Sequence, residues 1–249
     1  MSDYITAPNL PSRRIRLAVI DGRAKSVGKT LSRMGVEVIY TCRHHALYDA
    51  VSYHPDMVMH HLGGRDIVVA PDTDESFVYK LERHGFNVIA GKTFLSRNYP
   101  GDIAYNVARI GDIAFHNTRY TDRVLKCELE KRGVRLVHVR QGYAKCSICV
   151  VDEKAIITQD VGIAKKALQF GIEVLLVPPG NIKLYELDYG FIGGATGLIS
   201  KKCMGISGNI SLYDHRKEVL NFLHKKGISI VSLDCDEIVD IGSIIPLME

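Results

Sequence analysis

The stretch "LSRMGVEVIY" at residues 31–40 ends an amphipathic segment at a glycine and then enters a short run of β-branched and apolar residues. Glycine is the usual residue where a helix ends in the left-handed conformation, so this stretch predicts a helix, a glycine cap and a strand. The pattern recurs before "FNVIA", "VRLVHV", "IEVLLV" and "ISIVSL". The five junction glycines are Gly35, Gly85, Gly133, Gly171 and Gly227. Five such junctions in one chain indicate an internal repeat.

Hairpin-like segments lie between the junctions. Two short apolar stretches flank a polar or glycine turn at residues 57–71, 102–117, 146–159 and 196–208, a pattern typical of β-hairpins. The repeating unit is therefore predicted to be hairpin, helix, strand. A further hairpin candidate lies at residues 237–247, whereas the beginning of the chain supplies a helix and a strand without a complete hairpin. We predict that the two ends together close the fifth unit, which removes an exposed sheet edge.

The segment "DGRAKSVGKT" at residues 21–30 follows an apolar run and ends in Gly-Lys-Thr, as a phosphate-binding loop does. That motif places four residues between its two glycines, but five separate Gly22 from Gly28. We therefore interpret the segment as the start of the helix in the split unit, with Lys29 and Arg33 on its solvent side. No nucleotide is expected to bind at Lys29.

The composition is that of a globular protein with a large core: of 249 residues, 46% are hydrophobic and 24% charged. The length allows one domain or two, and the repeat predicts a single domain over residues 1–249. The 32 Lys and Arg are interspersed with 28 acids, for a net charge of +4, so nucleic-acid binding is not indicated. Because no apolar stretch approaches eighteen residues and the first residues lack an apolar core, we expect a cytoplasmic protein without a membrane partner.

The six cysteines include one close pair, Cys146 and Cys149. A redox pair would lie at a helix start, and a zinc site would have a second pair or histidines at short spacing. Here the pair lies in a segment predicted as strand, turn and strand. We expect buried, inert thiols in a reducing compartment, although the roles of Cys146, Cys149 and Cys203 stay open.

Three short motifs, in this order along the chain, carry a family resemblance. They are "HPDMVM" at residues 54–59, "YPGDIAYNVARIGDIAFHN" at 99–117 and "GYAKCSICVVDEKAIIT" at 142–158. With the five repeated units they resemble the pentein superfamily of guanidino-modifying enzymes, over almost the whole chain, and also an uncharacterised bacterial family of that fold. The resemblance implies an α/β fold, a five-bladed α/β propeller closed by the two termini.

In such enzymes a cysteine near the C-terminus attacks the guanidinium carbon, a histidine moves protons, and acids hold the substrate nitrogens. The resemblance places Tyr143 at the histidine position and Ser243 at the cysteine position, while Asp56 and Asp102 are retained. His60 and His61 stand where an acid is usual. The implied ligand-binding residues are Asp56, His60, His61, Asp102, Tyr143, Lys145, Thr196 and Ser243. No catalytic residue is assigned.

Three functions follow as alternatives. The first is binding of a small polar, guanidino or amino-acid-like ligand in the axial cavity, with no hydrolysis of arginine, agmatine or methylarginine. The second is a hydrolase or amidinotransferase with rearranged residues, such as Cys146 or Cys203 as nucleophile and His60 or His61 as base. The third is a macromolecule-binding role like that of translation initiation factor 6, which no basic or aromatic patch supports.

Neither a cofactor nor a metal is predicted from the sequence. Histidines at positions 44, 45, 54, 60 and 61 suggest metal ligands. However, His60 and His61 are adjacent on a predicted strand and would point to opposite faces. The ligand and the oligomeric state stay open.

Overall fold

The computed structural model describes residues 3–187 and 189–249. The strands are β1 (Leu17–Ile20), β2 (Glu37–Tyr40), β3 (Met59–Gly63), β4 (Asp66–Val69), β5 (Asn87–Ala90), β6 (Ala108–Ile110), β7 (Ile113–His116), β8 (Arg135–His138), β9 (Ile148–Asp152), β10 (Ala155–Thr158), β11 (Glu173–Leu176), β12 (Lys183–Leu184), β13 (Thr196–Ser200), β14 (Cys203–Ile206), β15 (Ser229–Ser232), β16 (Val239–Asp240) and β17 (Ile245–Met248). The α-helices are α1 (Lys25–Arg33), α2 (Pro55–Val58), α3 (Glu75–Arg83), α4 (Arg123–Lys131), α5 (Ala144–Ser147), α6 (Val161–Gln169) and α7 (Arg216–Lys225).

Within those residues the strands form five three-stranded sheets of one topology. Their orders are β17-β1-β2, β3-β4-β5, β6-β7-β8, β9-β10-β11 and β13-β14-β15. In each sheet the first pair is antiparallel, a helix follows the middle strand, and the third strand runs parallel to the middle one. The predicted hairpin, helix and strand unit is confirmed, and the fold class is mixed α/β.

All five junction glycines lie directly beyond their helices in the left-handed region. Their φ angles are +80° at Gly35, +81° at Gly85, +69° at Gly133, +71° at Gly171 and +68° at Gly227. A Cβ atom is unfavourable in this conformation, whereas glycine adopts it freely. The repeat is therefore visible in the sequence because each long helix ends at a position whose positive φ angle favours glycine.

The prediction that the two ends share one sheet is confirmed: β17 pairs antiparallel with β1, with Leu17 opposite Met248. The prediction of a hairpin at residues 237–247 is wrong, because β16 pairs in parallel with β12 instead of with β17. Gly242 and Ser243 both have positive φ, and the Ile241 and Ser243 N–H groups donate to the Gly194 carbonyl. These contacts direct β16 and β17 into different sheets.

The Gly-Lys-Thr stretch lies within α1, as predicted, and Lys29 is exposed. A Cβ added at Gly28 would lie 2.0 Å from the Tyr40 hydroxyl. Gly28 therefore allows the helix to pack closely on β2. Cys146 differs from its predicted position, because it belongs to the short helix α5 and only Cys149 lies on a strand.

Five apolar clusters connect successive sheets. One joins β1 to β4 and α3 (Leu17, Ile67, Phe77), and the next joins β4 to β7 and α4 (Val68, Ala114, Leu125). Two more join β7 to β10 and α6 (Phe115, Ile156, Ile163) and β10 to β14 and α7 (Ile157, Met204, Val219). The fifth joins β13 to β1 and α1 (Ile199, Ala18, Leu31). The last sheet thus packs against the first.

Over the part of the chain that the structure describes, no helix has the length and apolar character needed to cross a membrane.

Candidate functional site

Four buried polar side chains come together from three distant segments. Asp56 lies on α2, Lys145 and Cys146 lie on α5, and Ser243 lies between β16 and β17. The Ser243 Oγ is 2.8 Å from the Lys145 Nζ and 3.0 Å from the Asp56 Oδ2. The Cys146 Sγ donates to the same Asp56 oxygen at 3.1 Å. We call these four residues the central cluster.

Asn106 fixes α5 and was missed by the sequence analysis. Its Oδ1 accepts from the Lys145 N–H at 2.8 Å and from the Cys146 N–H at 3.4 Å. Its Nδ2 lies 3.2 Å from the Cys146 Sγ. The side chain therefore satisfies the free N–H groups at the start of the helix and positions the two side chains that the helix contributes.

Burial shifts the pKa values of Lys145, Cys146 and the nearby Cys149. It lowers the pKa of Lys145, an effect that the negative charge of Asp56 opposes. Burial, together with the charges of Asp56 and Asp240, raises the pKa of Cys146 well above its usual value. Burial also raises the pKa of Cys149 to about 11. Because the thiolate is the reactive form of cysteine, neither sulfur is an activated nucleophile in this environment.

The buried Asp102 and the half-buried Tyr143 form a second polar pair. The Tyr143 hydroxyl donates to the Asp102 Oδ2 at 2.5 Å. Burial raises the pKa of Asp102, and the hydrogen bond from Tyr143 opposes that shift. Burial, the hydrogen bond to Asp102 and its negative charge raise the pKa of Tyr143. The phenol at the expected histidine position is therefore a hydrogen-bond donor at neutral pH, not a base.

The other predicted residues surround or support these groups. Asp56, His60, His61 and Lys145 help to line a cavity of about 20 Å³, which is room for about one water molecule. Burial, with the nearby charge of Arg109, lowers the pKa of His60 to about 3. Thr196 donates to the Ile192 carbonyl at 2.8 Å, so its hydroxyl has a local structural partner.

A third group, His54, Asp240 and Asp21, adjoins the central cluster. The His54 Nδ1 lies 3.8 Å from the Asp240 Oδ1, and its Nε2 lies 3.8 Å from the Asp21 Oδ2. Donor atoms of His54, Cys146 and Asp240 all lie within 4.8 Å of one another. Sequence reasoning considered His54 only as one of five histidines that suggest metal ligands and missed Asp21 and Asp240, although Asp240 stands three residues before the predicted Ser243.

Asp240 is held by two backbone groups. Its Oδ1 accepts from the Gly242 N–H and its Oδ2 from the Phe191 N–H, both at 3.0 Å. A Cβ at Gly194 would lie 1.9 Å from this carboxylate, so glycine there permits the close approach. Burial raises the pKa of Asp240 to about 6.

A pocket of about 230 Å³ opens beside this group, and we call it the acidic pocket. Its acidic and basic lining residues are Asp21, Arg23, Asp234, Asp236, Glu237 and Asp240. Arg23 donates to both oxygens of Asp21, at 3.0 and 2.7 Å, and stacks on Tyr185, which also lines the pocket. Asp21 compensates the Arg23 guanidinium, and Glu237 pairs with Lys183 at 2.5 Å. The carboxyl groups of Asp234, Asp236 and Asp240 remain, so the pocket favours cations.

A family model matches residues 19–245 of this chain. The chain belongs to the family of unknown function DUF6873. No curated protein matches it by sequence.

The solved structures that are similar to this chain include an amidinotransferase, an agmatine deiminase and DDAH. Inosamine-phosphate amidinotransferase from Streptomyces griseus has a TM-score of 0.57 at 10% identity, covering 94% of this chain and 92% of that one. Agmatine deiminase from C. jejuni has a TM-score of 0.57 at 9% identity, covering 93% and 90%. DDAH from Pseudomonas aeruginosa, complexed with citrulline, has a TM-score of 0.54 at 10% identity, covering 89% and 92%. This member of DUF6873 thus has the pentein fold, as the motifs predicted.

Proposed function

We propose that this protein binds a small organic cation, with a guanidinium or primary amine group, in the acidic pocket and does not carry out cysteine-based guanidine chemistry. The observation that carries the proposal is the lining of the pocket by five carboxylates, of which only Asp21 and Glu237 have an arginine or lysine partner among the described residues, Arg23 and Lys183. Carboxylates match the donor array of a guanidinium. The volume of about 230 Å³ lies below the roughly 300 to 1,000 Å³ of pockets for drug-sized ligands, so only a small ligand fits.

The same proposal includes the arrangement of the whole chain. We propose a single domain over residues 1–249 in which five blades surround one axis. The five sheets of equal topology support it, as does the apolar cluster between the last sheet and the first. In a closed ring of this kind, the short helices α2 and α5 and the segment at Ser243 would face the axis.

The central cluster supports the ligand pocket in this proposal and does not itself receive the ligand. Its four side chains bond to one another, and the adjoining cavity of about 20 Å³ is too small for a guanidinium. Ser243 accepts from Lys145, and its hydroxyl proton faces the Asp56 carboxylate and the Gly193 carbonyl, each 3.0 Å away. Among the described residues, none of the hydrogen-bond partners of this hydroxyl is an imidazole that could accept its proton.

Calorimetric titration with agmatine tests ligand binding, with citrulline as a ligand whose side chain is neutral. We expect agmatine to bind and Asp236→Asn to weaken its binding by roughly two- to fivefold, the effect of one exposed charge pair. Asp214→Asn, an exposed acid outside the pocket, is the matched control and should change nothing. Absence of agmatine binding at millimolar concentration, or equal binding of citrulline, would contradict the proposal.

A second candidate function is hydrolysis with Ser243 as an oxygen nucleophile. The distance of 2.8 Å between Ser243 and Lys145 favours it, because a desolvated lysine can act as a base when neutral. The test is release of ammonia, urea or methylamine from agmatine, arginine or methylarginine. Turnover that disappears in Ser243→Ala but persists in Ser147→Ala, another buried serine, would replace the binding proposal with this one.

A further inference from the structure

We propose that His54, Cys146 and Asp240 bind a divalent transition-metal ion, for which zinc is the best match. One donor atom from each residue lies within 4.8 Å of the other two. All three side chains are buried, His54 completely. The group comprises an imidazole, a thiol and a carboxyl, which are the three kinds of side chain that ligate zinc in proteins. This inference does not rest on the proposed function.

The imidazole of His54 provides the independent observation. It is 0% exposed, yet within the described residues neither ring nitrogen has a hydrogen-bond partner. Buried polar atoms without partners are rare in folded proteins, because each costs the free energy of its desolvation. A metal ion between His54 and Asp240 would satisfy the Nδ1, which already lies 3.8 Å from the Asp240 Oδ1.

The surroundings of the three donors resemble the outer shell of a metal site. Metal-ligating histidines usually donate their second ring N–H to a carboxylate, and the His54 Nε2 faces the Asp21 Oδ2 at 3.8 Å. Asp21 is fixed in turn by the Arg23 guanidinium. The Asp240 carboxylate is oriented by two backbone N–H groups. Asp21 is thus a positioning residue in this proposal.

Metal binding requires the donor atoms of His54, Cys146 and Asp240 to move closer together. With metal–ligand distances of about 2.0 to 2.3 Å, tetrahedral donors lie roughly 3.3 to 3.8 Å apart. The upper end of that range applies to sulfur donors. The His54 Nδ1 and the Asp240 Oδ1, 3.8 Å apart, would therefore approach each other by roughly 0.3 to 0.5 Å, and the Cys146 Sγ would move by up to roughly 1.2 Å. Thiolate and imidazole donors favour zinc over the oxygen-preferring Mg²⁺ and Ca²⁺.

Charge balance also fits a divalent ion. The metal–sulfur bond forms as the S–H bond breaks, and the proton leaves to solvent. The thiolate and the Asp240 carboxylate then neutralise the ion, while Lys145 stays opposite Asp56 through Ser243. Asp240 also lines the acidic pocket, which provides the entry path. Three protein ligands leave one coordination position for water, as in sites that act on substrates.

The first test is metal content of the full chain. After removal of metals with a chelator and dialysis against zinc, we expect one tightly held ion per chain by mass spectrometry. Cobalt substitution should give a thiolate-to-cobalt absorption band. X-ray absorption of the zinc-loaded wild-type protein should show one sulfur ligand with nitrogen and oxygen ligands, and this measurement requires no variant.

Variants locate the site. Cys146→Ser and His54→Gln should each weaken metal binding at least tenfold, and Asp21→Asn should do so by about ten- to a hundredfold, as expected for loss of an outer-shell carboxylate. The matched control is Cys235→Ser, because Asp234, Cys235 and Asp236 form a second, partly exposed group of possible ligands. Loss of the cobalt band in Cys235→Ser alone, or a wild-type spectrum without sulfur, would overturn the proposal.

Discussion

At the residue scale, Tyr143 matters through its hydrogen bond to a buried acid. Its hydroxyl donates to the Asp102 Oδ2 at 2.5 Å, while the Asp102 Oδ1 has no partner among the described residues. Burial already raises the pKa of Asp102, so ionisation of this carboxyl opposes folding, and increasingly so as the pH rises. The hydrogen bond from Tyr143 therefore lowers the free-energy cost of an ionised Asp102 inside the protein.

We expect Tyr143→Phe to lower the free energy of unfolding by about 1 to 3 kcal/mol, the cost of an unsatisfied buried acceptor. The loss should be greater at pH 7 than at pH 4, because removal of the donor raises the pKa of Asp102 further. Urea titrations at the two pH values measure the difference. Tyr99→Phe is the control, since Tyr99 packs beside the Tyr143 ring but is exposed. An equal loss at both pH values would contradict this explanation.

At the scale of elements, β3 and β7 carry buried histidines that stay neutral. Burial, with the nearby charge of Arg109, lowers the pKa of His60 to about 3. Burial lowers the pKa of His61 to about 4, as it does for His116. In an unfolded chain the histidine pKa is about 6.5. Between these values the unfolded state binds more protons, so these residues make the native state less stable as the pH falls from about 6.5 to 4.

His116→Asn should reduce the number of protons taken up on unfolding by about one in this range. The slope of the free energy of unfolding against pH, from urea titrations between pH 4.5 and 7, gives that number. Background carboxylate titration is common to the variants, so the difference in slope is the informative quantity. Ser229→Ala, at an exposed position on β15, removes no titratable group and should leave the slope unchanged. An unchanged slope in His116→Asn would show that His116 binds a proton in the folded protein.

At the scale of the whole molecule, one of the five hairpins is divided between the two ends of the chain. The sheet β17-β1-β2 has the connectivity of the other four, except that its antiparallel pair has no turn. The Glu249 N–H donates to the Asp3 carbonyl at 2.8 Å, so a short linker can join the two ends. The turn between β9 and β10, at the exposed Glu153 and Lys154, is the corresponding place in another sheet.

A circular permutant with a linker between residues 249 and 3 and new ends at Glu153 and Lys154 should fold and unfold in one cooperative transition. This permutant closes the hairpin of β17 and β1 with the linker and opens the hairpin of β9 and β10 instead, so every sheet keeps its strands. A permutant opened inside α6, between Lys165 and Lys166, should be strongly destabilised because it breaks helical hydrogen bonds. Thermal unfolding followed by circular dichroism compares the two. Equal stability of the two permutants would contradict this expectation, because it would show that the fold tolerates a break inside a helix as well as a break in a hairpin turn.

The sequence by itself determined the repeating unit, the five junction glycines, the shared terminal sheet and the likeness to the pentein fold. These features depend on short-range patterns: alternation in strands, amphipathic helices, and a left-handed φ angle that glycine adopts freely. It also pointed to Asp56, Lys145 and Ser243, but through family resemblance, since 187 residues separate Asp56 from Ser243.

Only the tertiary structure decided that Lys145 faces Ser243, that Asn106 fixes α5, and that His54, Cys146 and Asp240 meet. The short helices α2 and α5 have too few residues for a periodic pattern, and the hairpin predicted at residues 237–247 failed because Gly194 accepts the backbone bonds of residues 241 and 243. Contacts between distant segments depend on how five sheets pack, which no local pattern specifies.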